Sequence, residues 1–153
     1  MKKSESIILF SQKQVRRIYD ESAELWYFSV IDVVQVLTDS SIPRRYWSDL
    51  KIKLRSEGSE VSEKIVQLKM TAPDGKKRDT DVAGTQTLLR LIQVTPSPKA
   101  EPFKLWLAQV GYERIEETED PELAIDRAMQ TYLQGGYPRE WINQRLKTIE
   151  VRT

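Results

Sequence analysis

The fold is decided by one stretch, Ser29–Gly58, which reads SVIDVVQVLTDSSIPRRYWSDLKIKLRSEG. Its first part places Ile31 and Val34 on one side of a short helix, although the valines leave a strand open. Ser29 is the predicted N-cap of that helix, with Asp32 as its capping-box partner. TDSS is typical of a turn, and a proline is tolerated in the first turn of a second helix. The stretch therefore predicts two helices joined by a short polar turn.

The second predicted helix has two distinct sides when its residues are spaced at about 100°. Four apolar or aromatic side chains share the first side and would pack on the core: Tyr46, Trp47, Leu50 and Leu54. The neighbouring side carries a stripe of polar side chains at spacings of four and seven: Arg44, Ser48, Lys51 and Arg55.

The polar stripe has two interpretations. Three cations and a hydroxyl beside a packed face suit a helix that docks on DNA, where they would neutralise phosphates or reach guanine edges. Alternatively, the long side chains lay their stems along the core edge and only solvate their charges. Arg45 lies away from the stripe and is predicted to pair with Asp49 on the next turn.

Strand patterns lie on both sides of the helix pair. SIILFS predicts a strand near the N-terminus, and VRRIYDESAELWYFS predicts two strands with a turn at Asp20–Glu24. KIVQLKMTAPDGKKRDTDV predicts a hairpin around a Pro-Asp-Gly turn. Lys76, Lys77 and Arg78 would lie on its tip or returning strand, either to contact DNA or to solubilise the hairpin. The order of elements, a helix pair followed by a basic hairpin, resembles that of a winged helix-turn-helix fold. The third helix of that fold is not evident in the sequence.

The remaining sequence is predominantly helical. Thr80 or Asp81 is the predicted cap of the next helix, and an amphipathic helix follows the TPSP break. EETEDPE resembles an acidic linker, and two further helices follow, separated by GGYP. The apolar stripes of these two helices need a partner, which is either the first domain or a second copy in a homodimer.

These elements predict an α+β fold of small N-terminal antiparallel strands, a helix-turn-helix-like pair, a β-hairpin and C-terminal helices. The predicted domains are 1–115 and a helical extension, 116–153. The sequence ends within charged residues without a helix stop, so we expect a longer natural protein. Residues 1–110 carry 18 Lys and Arg against 14 Asp and Glu, whereas residues 111–153 carry 6 against 9. A polyanion would therefore meet the first part of the chain.

Composition argues against an enzyme. The chain of 153 residues has no Cys and no His, which removes disulfides, thiolate zinc sites and imidazole bases. Asp79 and Asp81 would share one side of a strand, but Asp81 also suits a helix cap, and no phosphate-binding glycine loop is present. We therefore predict no catalytic residues, metal or cofactor. Because neither a signal-peptide core nor a membrane span appears in the sequence, a cytoplasmic location is expected.

Several segments together resemble the Bro-N domain. These are VRRIYDE, WYFSVIDVVQVLTDS, YWSDLKIKLRSEG, DGKKRDTDVAGTQTLLRLIQ and SPKAEPFKLWLAQVGYERI, over about residues 7–115. The domain occurs in BRO proteins of phages and large DNA viruses, in prophage antirepressors and in bacterial proteins similar to DNA-damage-inducible protein D. The continuation from EDPELAIDR resembles the helical region of the bacterial members, which extend beyond this C-terminus.

The resemblance implies a DNA-binding module that acts in prophage regulation or the DNA-damage response, without catalytic residues. Its matching segments include the basic helix and the basic hairpin. Our first hypothesis is therefore a regulatory domain that binds double-stranded DNA through Arg44, Ser48, Lys51, Arg55, Lys76, Lys77 and Arg78. The second is a protein-interaction module that inhibits a repressor or a recombination protein through the C-terminal helices, without touching DNA.

Overall fold

The computed structural model describes residues 15–152, with side chains described up to residue 148. Within that range the α-helices and β-strands are β1 Arg17–Asp20, β2 Leu25–Ser29, α1 Val30–Thr38, α2 Pro43–Ser56, α3 Glu60–Glu63, β3 Val66–Thr71, β4 Lys77–Gly84, α4 Thr85–Val94, α5 Glu101–Glu119, α6 Glu122–Gln134 and α7 Arg139–Arg152, with a short 3-10 helix at Pro98–Ala100. The predicted α+β fold and the helix pair are confirmed. The strand predicted in SIILFS lies outside the described residues.

The described strands form one antiparallel sheet in the order β1-β2-β4-β3. Both predicted hairpins are confirmed, with Tyr19 opposite Trp26 in the first. In the second, Gln67 lies opposite Asp81. Strand β4 pairs with β2 only through Val82–Gly84, while its earlier residues pair with β3 alone. The β3–β4 hairpin therefore extends past the end of β2, beside the helices.

The core lies between the sheet and helices α1, α2 and α4, because each of these helices buries one apolar face. Valines on α1 and leucines on α4 pack with Phe28 and Ala83 of the sheet. The fully buried members of this core include Val30, Val33, Val34, Leu37, Leu88, Leu91 and Ile92. Helix α2 joins the same core through its predicted packing face, so its opposite side faces solvent.

The start of α1 combines a predicted cap with an unpredicted clamp. The Oγ of Ser29 accepts a hydrogen bond from the N–H of Asp32 at 3.4 Å, as expected for an N-cap. The carboxylate of Asp32 does not return to Ser29, because it accepts from the backbone N–H of Arg16 at 2.9 Å and from its Nε at 2.8 Å. The cap is confirmed, whereas the reciprocal half of the capping box is not formed.

The predicted cap of α4 was wrong. Thr80 and Asp81 lie inside β4, and α4 begins at Thr85 with Gly84 as its N-cap. The cap prediction treated an aspartate before an apolar run as a helix start. In the structure that aspartate belongs to a strand that is hydrogen-bonded on both sides at its end.

The acidic run was also misread as a linker, since α5 continues through Glu119. Arg127 of α6 explains this, because its guanidinium lies 2.8 Å from an Oε of Glu116 and 3.3 Å from one of Glu117. It also donates to the carbonyl oxygen of Glu113 at 3.0 Å. The pairing offsets the repulsion between the acidic side chains and keeps the last turns of α5 helical.

The chain divides into two compact units between Leu107 and Ala108. In the second unit, α6 and α7 follow the predicted helical hairpin, and Ile142 and Leu146 of α7 are buried. The predicted domain boundary after residue 115 lies within α5 and stays a prediction.

Candidate nucleic-acid interface

Helix α2 presents the two sides that its sequence predicted. Trp47, Leu50 and Leu54 are buried, and Tyr46 packs partly against the same core. The helix begins at Pro43, whose missing N–H belongs to a first turn that lacks intrahelical partners anyway. The polar stripe therefore lies at the edge of the packed face and in solvent.

One carboxylate joins α2 to the β3–β4 hairpin. Asp81 of β4 accepts hydrogen bonds from the indole Nε1 of Trp47 and the Nζ of Lys51, both at 2.8 Å. Its second oxygen accepts from the Nε2 of Gln67 on β3 at 3.1 Å. We call Trp47, Lys51, Gln67 and Asp81 the Asp81 cluster. It fixes both the position of α2 on the sheet and its rotation about its own axis.

The Asp81 cluster holds its carboxylate in the charged form. Burial alone raises the pKa of Asp81, but the hydrogen bonds from Lys51, Trp47 and Gln67 together outweigh that effect. The net result is a pKa below the ordinary value of 3.8. The side chains of Lys51 and Asp81 are 29% and 10% exposed, so their ion pair is partly shielded from water.

Lys51 therefore differs from the other cations of its stripe. Its ammonium neutralises Asp81 and lies 5.8 Å from the centre of the Trp47 ring. Arg44 and Arg55 are exposed and form no ion pair with any described residue. Arg45 was predicted to pair with Asp49, and that ion pair is not formed. Both side chains are exposed, where such a pair gains little energy.

The hairpin tip is a tight turn stabilised by its own aspartate. Gly75 has a φ of 83°, and its N–H donates to the carbonyl oxygen of Ala72 at 2.9 Å. The carboxylate of Asp74 accepts from Arg78 and from the N–H of Lys76, and these bonds hold its pKa below the ordinary value. The turn thus offsets the charge of Arg78.

Lys76 and Lys77 have no such partner. Both are exposed, and neither forms an ion pair within the described part of the chain. Arg44 and Arg55 share this property, and we call these four members of the predicted site the unpaired cations: Arg44, Arg55, Lys76 and Lys77.

The helix and the hairpin face each other across an open cleft of about 290 Å³. Arg44, Ser48 and Lys51 line it from α2, and Arg78 lines it from β4. The structure thus brings together four of the seven residues in the predicted site. The other three (Arg55, Lys76 and Lys77) do not line this cleft.

Arg16 also lines the cleft, although sequence reasoning did not assign it there. Its guanidinium is bidentate to Asp32, and it donates to the carbonyl oxygen of Thr71 at 3.0 Å and to the Oγ of Ser29 at 3.2 Å. It thereby ties the start of the sheet to α1 and to the end of β3. Asp32, in the first turn of α1, was the signal in the sequence that could have indicated this role of Arg16. A carboxylate that is not used for capping attracts a cation.

Two other kinds of site are absent from residues 15–152. No group of three or more acidic side chains there could hold a metal ion. None of the helices in that range is long and apolar enough to cross a membrane.

The fold and the cleft define a small α+β domain in which a basic helix packs beside a β-hairpin. The model of the BRO family N-terminal domain, Bro-N, matches residues 14–112, more than half of the chain. The chain belongs to that family, and the predicted resemblance is confirmed. A search of the curated proteins found no match, and neither did a search of the solved structures.

Proposed function

We propose that this chain is a cytoplasmic DNA-binding regulatory protein of the phage antirepressor or DNA-damage-inducible type. It binds double-stranded DNA through α2 and the β3–β4 hairpin. Its role is binding rather than catalysis, in keeping with a sequence that lacks His and Cys. Membership of the BRO family supports the regulatory class.

The observation that carries this proposal is that α2 and the β3–β4 hairpin, which lie side by side at one cleft, both expose cations without an ion-pair partner among the described residues. Arg44 and Arg55 are separated along α2 by about 16 Å, at about 1.5 Å per residue. That spacing exceeds the width of the major groove, which is about 12 Å. Cations near the two ends of the helix can therefore approach the phosphates on both walls of the groove.

The charged residues of the predicted site have two different roles, according to whether they already have a partner within the protein. The unpaired cations carry charge that no described side chain neutralises, so they contact phosphates. Ser48 is exposed and adds a hydroxyl to the helix surface. Lys51 and Arg78 are already paired with Asp81 and Asp74, and their main role is to hold the helix and the hairpin turn in place.

Binding to duplex DNA at several salt concentrations tests the proposal. Each neutralised phosphate contributes about −0.9 to the slope of log K against log salt. We expect Arg44→Ala/Arg55→Ala and Lys76→Ala/Lys77→Ala each to reduce the magnitude of that slope by about 1.8. Both variants should keep the stability of the wild type, because all four side chains are exposed.

Matched controls change the same residue types elsewhere. Arg139→Ala/Arg145→Ala and Lys64→Ala/Lys99→Ala remove exposed cations outside α2 and the hairpin, and should leave the slope unchanged. If the salt slope fell in these control variants and stayed unchanged in the variants of α2 and the hairpin, the assigned DNA-binding site would be wrong. A wild-type protein without salt-sensitive DNA binding would overturn the function itself.

A second candidate function is supported by an aromatic cluster in the second unit. Tyr137 and Trp141 stack at 4.6 Å with 19° between their planes, and Tyr132 meets them edge-on at 5.5 and 5.3 Å. Tyr137 and Trp141 remain 44% and 43% exposed. Exposed Tyr and Trp are frequent energetic centres of protein interfaces. On this proposal the C-terminal helices bind a repressor, a recombination protein or a second copy of the chain.

Sedimentation at increasing protein concentration tests the homodimer form of this candidate. A concentration-dependent dimer that is lost in Tyr137→Ser/Trp141→Ser would support it, provided that the variant keeps the helical content of the wild type. A monomer at all concentrations would exclude the homodimer and leave a different protein as the partner.

A further inference from the structure

We propose that Ile52 is a specificity-determining residue that reads the 5-methyl group of thymine in the major groove. The inference rests on the proposed function, since it requires that α2 docks in that groove. It adds a base-reading contact to cations that recognise only the backbone.

The first observation is exposure. Ile52 lies in the middle of α2 and is 65% exposed, whereas Trp47, Leu50 and Leu54 of the same helix are no more than 5% exposed. Isolated surface isoleucines are ordinary in proteins, so exposure alone does not assign a role. What matters is which side chains surround it.

The second observation is the position of Ile52 within the polar side of the helix. Ser48 precedes it by four residues, Arg45 precedes it by seven, and Arg55 follows it by three. Residues at these spacings share one face of an α-helix. Ile52 therefore lies between exposed guanidinium groups on both sides along the axis, with a hydroxyl on the turn before it.

The third observation is that the rotation of α2 is fixed. Lys51 precedes Ile52 directly, and its ammonium is held by Asp81 at 2.8 Å. The indole of Trp47 binds the same carboxylate at 2.8 Å. With those two side chains bonded to the hairpin, the helix cannot roll to bury Ile52 without breaking both hydrogen bonds.

The chemistry of the groove identifies the ligand group. Phosphates and most base-edge atoms are polar, and an aliphatic side chain gains nothing from them. The 5-methyl of thymine is the apolar group on the major-groove edge, and apolar side chains contact it in direct readout. Ile52 thus fits a thymine placed between the phosphates that Arg44 and Arg55 approach.

An exposed carboxylate, that of Asp49, restricts how α2 can dock on DNA. Asp49 lies about 60° around the helix from Ile52, at 100° per residue, on the side away from Arg44 and Arg55. A carboxylate is repelled by phosphates and can accept from the amino group of cytosine. The helix must therefore dock with Asp49 turned towards base edges or solvent and away from the backbone.

The test compares thymine with uracil, which lacks only that methyl group. Duplexes selected by the wild-type protein from a randomised pool are resynthesised with deoxyuridine at each thymidine. Burial of one methyl contact predicts that the wild type binds the uracil duplex roughly fourfold more weakly. Ile52→Ala should bind both duplexes equally, with the same salt slope as the wild type.

Ile42→Ala is the matched control. Ile42 precedes α2, is 57% exposed and lies outside the face described above. It should keep the preference for thymine. Thermal unfolding of Ile52→Ala should match the wild type, because the side chain is exposed and alanine favours a helix.

The outcomes separate the two proposals. Equal binding of thymine and uracil duplexes by the wild type would overturn the role of Ile52 while salt-dependent binding upholds the DNA interface. Retention of the thymine preference in Ile52→Ala would likewise overturn it. Absence of DNA binding by the wild type would overturn both.

Discussion

Lys51 and Arg44 lie seven residues apart on one stripe of α2, yet the structure gives them different surroundings. Lys51 is held by Asp81 within a cluster that also binds Trp47 and Gln67. Arg44 lines the same cleft and forms no ion pair with any described residue. Two cations on one helix face can therefore have opposite roles, one holding the interface together and one available to a partner.

The hairpin repeats this contrast over a shorter distance. Arg78 is paired with Asp74, while Lys76 and Lys77 beside it form no ion pair within residues 15–152. The lesson is that basic residues become candidates for phosphate contacts only after their internal partners are known. The count of positive charges overstates the number that is available.

The largest expected effect comes from removing the carboxylate that joins the two regions. Asp81→Ala would leave the Lys51 ammonium and the Trp47 indole N–H without an acceptor in a partly shielded site. We expect a loss of about 2–4 kcal/mol in the free energy of unfolding. Urea unfolding followed by tryptophan fluorescence measures this loss.

Asp79→Ala is the control, since that side chain is 62% exposed and its removal should change stability by less than about 1 kcal/mol. Equal losses of unfolding free energy in Asp81→Ala and Asp79→Ala would show that the Asp81 cluster stabilises the fold no more than an exposed ion pair does.

A smaller effect distinguishes the role of Lys51 from that of Arg44. Lys51→Ala should lower the free energy of unfolding by about 1–2 kcal/mol and leave the salt slope of DNA binding unchanged. Arg44→Ala should do the reverse, reducing the slope by about 0.9 while stability changes by less than about 0.5 kcal/mol. If Lys51→Ala reduced the slope and kept full stability, the division of roles would be wrong.

The smallest effect is a pH dependence of the Asp81 cluster. Because the folded pKa of Asp81 lies below its ordinary value of 3.8, folding favours the charged carboxylate. Its stabilisation is complete above that ordinary value and is lost as the pH falls through the lower folded pKa. Wild type and Asp81→Asn should therefore differ by about 1 kcal/mol near neutral pH, and the difference should shrink below about pH 4.

Asp20 and Asp74 also have lowered pKa values, but they titrate alike in both proteins and cancel in that comparison. Parallel unfolding curves at each pH provide the measurement. A difference that stays constant down to strongly acidic pH would contradict the charge-dependent part of the cluster.

The helix pair, both described hairpins and the buried face of α2 could be predicted from the amino-acid sequence. These features depend on local patterns: apolar spacing, turn residues, and an N-cap at Ser29. Two of the wrong assignments, the cap at Thr80 or Asp81 and the acidic linker, occurred where a distant partner replaced the local rule. Strand β4 pairs with β2 and β3 in the first case, and Arg127 neutralises the acidic turn in the second.

Which charges remain available to a partner depends on contacts that form only when the chain folds. A helical wheel gives the direction of Lys51 but cannot show that Asp81, thirty residues later, lies opposite it. The exposure of Ile52 already follows from the buried face of α2, and the Asp81 cluster holds the helix in that rotation. Side-chain direction is set by the local backbone, whereas charge pairing depends on residues that only folding brings together.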